Sequence, residues 1–439
     1  MKCMQERILA LIDERAEDII KLARDIYEHP EPGFREFRTA DKVREFLQGL
    51  GLDTRNHIAV TGVKAWQRMG EGPSVALMGE LDGIACPRHP FADKATGISH
   101  ACGHHMQIAA MAGAACALSD PEVREQLSGT VQYWAVPAEE FIGASDLEAL
   151  MKEGLIQSCC GKSELLIRGE LDDSDLVITS HAHMVSGERP FFLLGNHSAN
   201  GFISKTITLT GRASHAATAP EKGINALDAA TVGMTALGLL RSTFADEDFV
   251  RVHPIIREGG SAVNVVPDRV VLETQVRAKS KLAMEDAGRK TDQAFRGGAA
   301  AIGAGISIEN RQGYLPVIPS QPASAQISAA RLLEGEADWL PVDLAEHNAA
   351  STDAGDLTHV KPVLNFTYGG FTGALHSQDF RIAQEARSYI LPAKLMALTV
   401  YELLSNQGRE AKNVIAGFSP FMTMEEYKSY VQGFHGGQR

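Results

Sequence analysis

The sequence predicts a two-domain α/β protein. A mixed central sheet flanked by helices is interrupted by an inserted ferredoxin-like α+β domain. Three observations predict this. The chain has 439 residues, more than one compact core of ordinary size accommodates. Between residues 74 and 181, short apolar runs end repeatedly at Glu or His, and open α/β sheets place their ligand sites at such strand ends. From Phe202 to Asn310 the signals run β-α-β-β-α-β.

The elements follow in order. Residues 4–28 carry Ile8, Leu11, Ile12, Ile19, Ile20 and Leu22 at helical spacing, and His29-Pro30-Glu31-Pro32-Gly33 breaks the run. Thr39 to Leu50 reads as a helix closed by Gly51. Ser74 to Gly79 suits a buried strand, and the small-residue-rich stretch His104 to Leu118 suits a helix packed closely on a sheet. Gly129 to Val136 and Asp175 to Ser180 read as strands, the first ending at Glu139-Glu140 and the second at His181. Phe202 to Thr210 alternates like a strand with one wet face. A helix from about Asn225 to Arg241, a strand at Ile255-Ile256 and a turn at Gly259-Gly260 come next. They are followed by a strand from Val270 to Val276, a helix from Leu282 to Ala301 and a strand from Ile306 to Asn310. Ile390 to Leu404 reads as a closing helix, and Ala416 to Arg439 carries no clear pattern.

Composition narrows the function classes. Hydrophobic content is 44% and charged content 22%, an ordinary globular balance. No apolar run is long enough to cross a bilayer, and the charged N-terminus lacks the apolar stretch of a signal peptide. A net charge of −13 argues against nucleic acid or an anionic membrane as partner. The six cysteines are irregularly spaced, so reduced thiols and a cytoplasmic location are expected.

The chemistry concentrates in a few motifs. Ser99-His100-Ala101-Cys102-Gly103-His104-His105 places a thiol and imidazoles within a few residues, with a glycine that lets Cys102 and His104 converge. Val136-Pro137-Ala138-Glu139-Glu140 supplies adjacent acids that point in different directions, so one can bind a metal while the other serves as a base. His181-Ala182-His183 follows a strand, and spacing alone does not choose between its imidazoles. His376 lies in a glycine-containing turn, and one of Glu80 and Asp82 could orient a ligand or support the metal. Each signal alone has a bland reading: a buried Cys, a solvated acid pair, a surface His. Together they complete a nitrogen, sulfur and oxygen set for divalent metal with one carboxylate to spare, the equipment of metal-assisted hydrolysis. No Gly-x-Ser-x-Gly elbow, Walker loop or Gly-x-Gly-x-x-Gly fingerprint competes with it.

These motifs carry a resemblance. His29-Pro30-Glu31 with Gly33-Phe34 and Glu36-Phe37, Gly79-Glu80-Leu81-Asp82, His100-Ala101-Cys102-Gly103-His104 and Pro137-Ala138-Glu139-Glu140 resemble the M20 metallopeptidases, in their amidohydrolase branch. Gly211-Arg212-Ala213-Ser214-His215, Asn264-Val265-Val266-Pro267-Asp268, Arg277, Ser351-Thr352-Asp353 and His376 extend the likeness over nearly the whole chain. Within that branch the pattern is most similar to the p-aminobenzoyl-glutamate hydrolase subunit and N-acyl amino acid hydrolase groups. Three departures stand out. His105 occupies a position where the family has Asp or Asn, two histidines stand where one is usual, and Phe141 to Asp173 departs from the family's compact glycine-rich stretch.

The resemblance implies a metal-dependent exopeptidase-like catalytic domain in two segments, residues 1–198 and 313–439, with a lid and dimerisation domain at 199–312. It implies ligation of two divalent ions, zinc or manganese, by Cys102, His104, Glu140, His181 and His376. His181 is preferred to His183 because its spacing from Asp175 fits the family pattern. Glu139 would be the general base, assisting attack of a metal-bound hydroxide on the amide of an N-acyl amino acid or small dipeptide-like molecule. His215 would reach the partner subunit's site in a homodimer formed through the lid, and Asn264 and Arg277 would bind substrate. The competing readings are a non-catalytic or partner-dependent subunit of a heteromer, and a thiol amidase using Cys102.

Overall fold

The computed structural model describes residues 2–184 and 191–435. The chain divides into two compact units. One comprises Met1–His197, Ile318–Glu346 and Leu357–Met424; the other comprises Ser198–Val317, His347–Asp356 and the chain from Glu425 on.

The first unit is built on an eight-stranded mixed sheet flanked by helices. Its centre is four parallel strands in the spatial order Gly129–Val136, Ser74–Glu80, Leu176–Ala182, Val363–Tyr368. Antiparallel Gly62–Met69 and Asp53–Ile58 extend one side; Phe192–Leu194, antiparallel, and Trp339–Pro341 extend the other. All seven residues of Ser74–Glu80 are buried, which is why this strand reads as a continuous apolar run and not as an alternation. The helix His104–Leu118 is buried along its entire length. It packs on Ser74–Glu80 and against the helices Ala16–Glu28 and Leu391–Gly417. Ala, Gly and Met on every face permit that central position, since a helix apolar all round must be covered all round.

Two helical expectations change in detail. Residues 4–28 are not one helix but two, Lys2–Glu14 and Ala16–Glu28, meeting at Arg15 with φ −101° and ψ 8°. The break lets Ile8 and Ile12 in the first half and Ile19, Leu22 and Ile26 in the second all reach the core. The closing helix continues past Leu404 to Gly417, interrupted at residues 405–408, where Asn406, Gln407 and Gly408 have positive φ.

The second unit is a five-stranded antiparallel sheet with Gly201–Thr210 between Arg269–Ala278 and Gly305–Gln312. Arg251–Val252 and Ile255–Glu258 both pair with the outer side of Arg269–Ala278. Helices Ala226–Leu240 and Lys281–Ile302 cover the sheet. Asn225 and Ser280 start them by accepting backbone N–H bonds, and Gly303 closes the second with a left-handed φ of 75°. The element order is β-α-β-β-β-α-β, the expected β-α-β-β-α-β with one further short strand, Arg251–Val252, after the first helix. The alternating burial along Arg269–Ala278 matches a sheet with one covered face. The patternless stretch after Ala416 contains a helix, Met424–His435, whose Tyr427 hydroxyl donates to Asp356 Oδ1 at 2.8 Å.

Candidate metal centre

The C-terminal ends of three parallel strands carry the chemistry of the first unit. Glu80 ends its strand opposite Val136, the residue that leads through Pro137 and Ala138 into Glu139-Glu140. His181 sits on the next strand opposite Thr367. Cys102 and His104 arrive from the opposite direction, at the start of the buried helix. Between them Gly103 has φ +84°, and a Cβ there would lie 3.0 Å from that of Ala182. Glycine therefore supplies both the left-handed turn and the close approach that bring the thiol and imidazole to the strand ends. The loop carrying His376 is pinned to the same place, its backbone N–H donating to Ala101 O at 2.8 Å.

These side chains converge. Cys102 Sγ lies 3.4 Å from His181 Nε2 and 3.1 Å from His376 Nε2. His376 Nε2 is 3.2 Å from Glu140 Oε1. His104 Nε2 is 3.1 Å from Glu80 Oε2 and 3.8 Å from Glu139 Oε2. Three donor groups have their ligand atoms within 4.8 Å of one another: Cys102, His104 and His181; Cys102, Glu140 and His376; Glu80, His104 and Glu139. Ligands about 2.0–2.3 Å from one tetrahedral ion stand about 3.3–3.8 Å apart, so the spacing matches donors around a shared cation. Buried His104 Nε2 has no partner in hydrogen-bonding geometry among the described residues. Its other nitrogen, Nδ1, is held by Asp82, through the backbone carbonyl at 2.9 Å and Oδ1 at 3.1 Å. That leaves Nε2 as the nitrogen that faces Glu80 and Glu139. The donor set thus fits a divalent cation.

The electrostatics are those of crowded anions. Burial pushes the Cys102 thiol up, and the neighbouring Glu140 adds to this. Burial pulls His104 down, but Glu80, the Cys102 sulfur and Asp82 more than reverse it. Burial would raise Glu140, yet His376 and His104 hold it below the usual carboxylate range. Burial lowers His181, against the opposing pull of Glu80.

The adjacent acids do diverge, Glu139 toward His104 and Glu140 toward His376. Ala138 before them has φ +46°, and its N–H donates to Glu36 Oε1 at 2.8 Å. The two histidines separate in space. The strand ends at Ala182, His181 stands among the donors, and His183 belongs to none of the three groups. His105 is also outside them; it is buried and stacked on Tyr27, with ring centroids 4.6 Å apart. In the second unit, His215 and Asn264 are exposed on neighbouring chain segments, with Ala216 N donating to Asn264 O at 3.0 Å. Arg277 donates to two neutral oxygens, Ser351 Oγ at 2.9 Å and Gln275 Oε1 at 2.5 Å, and lies over the Phe202 ring. Among the described residues it has no carboxylate partner.

Sequence reasoning missed Lys162 and Gln107. Lys162 is fully buried, and its ammonium bonds Glu80 Oε1. Gln107 Nε2 donates to Glu80 Oε2 at 2.6 Å. The only available signal was the unusual stretch between Phe141 and Asp173, which contains Lys162.

Comparisons with known proteins follow the same line. The model of peptidase family M20/M25/M40 matches residues 76–401. The Xaa-Arg dipeptidase of Mus musculus is 28% identical over 433 residues, covering 92% of this chain and 90% of its own. The N-acyl-L-amino acid amidohydrolase of Geobacillus stearothermophilus is 26% identical over 324 residues, covering 72% of this chain and 81% of its own. A dinuclear metal-binding peptidase of the M20 family from Bacillus subtilis shares the fold, with a TM-score of 0.65 at 22% identity over 89% of this chain and 99% of that one.

Proposed function

Since this chain belongs to peptidase family M20/M25/M40 and is a hydrolase, we propose that it cleaves the amide bond of an N-acyl or N-aroyl amino acid, or of a small dipeptide-like molecule, with two divalent ions. The observation that carries the reading is the pair of donor groups sharing Cys102, one with His104 and His181, the other with Glu140 and His376. Support also comes from two relatives named for a dipeptide and for an N-acyl amino acid. The thiolate and imidazoles favour zinc, while carboxylate and imidazole also serve manganese.

When bound, the ions supply Lewis-acid polarisation of the amide carbonyl and acidify water. The chain's own residues do the rest. Glu139 lies 3.8 Å from His104 and is surplus to the two Cys102-centred groups. It takes the proton from the attacking water and returns it to the leaving nitrogen. Asp82 fixes the His104 ring and accepts from the backbone N–H of Glu140 at 2.9 Å, so one carboxylate sets two ligands.

The second unit is assigned as lid and dimerisation domain, with His215 acting in the partner's site and Asn264 and Arg277 binding the substrate's carboxylate. That Arg277 has no carboxylate partner among the described residues supports the last role. Exposed Ile255 and Ile256 on an edge strand, with Val232 and Leu239 on the helix Ala226–Leu240, support a homodimer. Among the described residues, no helix is long and apolar enough to cross a membrane. Among the described residues, Cys86, Cys102, Cys116, Cys159 and Cys160 are buried and in no disulfide, in keeping with a cytoplasmic protein.

Elemental analysis of chelator-free protein, combined with a panel of N-acyl amino acids, tests the reading. Two zinc or manganese ions per chain and amide cleavage that chelator abolishes and metal restores are expected. Cys102→Ala should lose both metal and activity. Chelator-resistant cleavage abolished by Cys102→Ala would transfer the reaction to the thiol. Metal without cleavage of any amide would leave a non-catalytic subunit.

A further inference from the structure

The first turn of the helix Gly161–Ile167 carries residues that ordinarily face water, yet Lys162, Ser163 and Glu164 are all fully buried. Glu164 Oε2 accepts the backbone N–H groups of Gln157 and Ser158 at 2.8 and 2.7 Å, and Ser158 Oγ donates to Ser163 Oγ at 2.5 Å. The helix is pressed against the strand end that supplies the acid pair. Gly161 N donates to Ala138 O at 3.0 Å, and a Cβ at Gly161 would stand 1.8 Å from Pro137 O. Only glycine permits that approach, and the approach delivers the Lys162 ammonium to Glu80. Burying an ammonium costs several kcal/mol unless a partner compensates it, so this placement needs a local reason.

Glu80 shows what the placement achieves. Its Oε1 is engaged by Lys162, while Oε2 accepts from Gln107 Nε2 at 2.6 Å and faces His104 Nε2 at 3.1 Å. The Glu80 backbone N–H donates to Gln107 Oε1 at 3.3 Å, so one glutamine grips both the main chain and the side chain. The carboxylate is thus held by Lys162 on one oxygen and by Gln107 on the other, and the oxygen that Gln107 holds is the one that faces His104 Nε2. Glu80, His104 and Glu139 form the third of the donor groups.

We propose that Glu80 is an additional oxygen ligand of the ion on the His104 side, and that Lys162 is the positioning residue that turns it there. This rests on the two-metal reading above. Lys162 takes one oxygen out of play, which leaves a single carboxylate oxygen with a defined direction toward the ion. A buried cation next to the site also offsets part of the charge of Glu80, Asp82, Glu139 and Glu140.

Metal binding itself tests this, independently of turnover. Apo protein should be titrated with zinc against a chromogenic chelator, and with cobalt while the visible ligand-field spectrum is recorded. Glu80→Gln should weaken one of the two ions about 10–100-fold and shift the cobalt spectrum, as loss of a ligand or its orienter does. Lys162→Met should weaken the same ion to a similar degree. Because Lys162→Met strands a buried carboxylate and can unfold the chain, the double variant Lys162→Met/Glu80→Gln is made alongside it. With both charges removed, it should be no worse than Glu80→Gln alone, since the two residues act as one unit. Wild-type affinity for both ions and an unchanged cobalt spectrum in Glu80→Gln would overturn the ligand assignment. A double variant much weaker than Glu80→Gln would overturn the role of Lys162. Failure of the underlying reading looks different: wild type itself would take up no ions, or Cys102→Ala would bind as many as wild type.

Discussion

Asp82 grips His104 twice, its backbone carbonyl and Oδ1 both within 3.1 Å of the ring nitrogen Nδ1. The second carboxylate oxygen accepts from the backbone of Glu140 at 2.9 Å. Orientation of two candidate ligands therefore depends on one buried side chain. Asp82→Ala should weaken metal binding about 10–100-fold, and Asp82→Asn, which keeps one acceptor, should weaken it less. Competition with a chelator of known affinity measures both. Unchanged affinity in Asp82→Ala would mean that the helix and strand ends alone set the ligands.

Glu139 should be needed for proton transfer but not for metal. Glu139→Gln should keep two ions and lose on the order of 10²–10⁴ in turnover. If the lid's His215 completes the partner's site, mixing inactive Glu139→Gln with inactive His215→Ala should restore part of the activity, because one hybrid site would be intact. Subunit exchange confirmed by mass spectrometry without any recovery would confine each site to one chain.

Arg277 donates only to neutral oxygens among the described residues, partners that a carboxylate can displace. Wild type should prefer a substrate with a free α-carboxylate over its carboxamide on the order of 10–100-fold, the worth of a charge-assisted hydrogen bond. Arg277→Ala should lose most of that preference. An equal preference in both proteins would remove Arg277 from substrate recognition.

Asp356 sets a pH dependence of stability in the second unit. Burial pushes its carboxyl from the ordinary 3.8 up to about 7, with Asp353 acting in the same direction and Tyr427 against it. Between those values the native state holds a proton that the unfolded chain has released. The unfolded state then binds fewer protons, so stability falls as pH rises from about 4 to about 7, and the loss is complete above that. Urea midpoints measured in chelator from pH 4 to pH 8 should decline in wild type. The decline should be shallower in Asp356→Asn, where the amide still bonds Tyr427 and the Leu315 N–H. Parallel slopes would assign the dependence to other groups.

Much of this protein is readable along the chain because the relevant physics is local. Buried parallel strands demand apolar runs, so Ser74–Glu80 and Gly129–Val136 announce themselves and point to the residues at their ends. The alternation in Arg269–Ala278 likewise betrays a sheet covered on one face. Cys102, Gly103 and His104 carry their own explanation, since the geometry that joins them is a single turn. Other features were decided only by tertiary structure. Periodicity could not show the break at Arg15, because each half keeps the same helical spacing while the core decides which way it faces. Nothing in the spacing could show that His181 and not His183 comes to lie beside Cys102; the strand's end at Ala182 and the fold around Cys102 set that. The clamp on Glu80 is the clearest case. Lys162 lies 82 positions away in the sequence, within the stretch Phe141 to Asp173 to which the sequence pattern assigns no element. Its burial follows from contact between Gly161 and the backbone of Pro137, a long-range steric fit without any sequence period to reveal it.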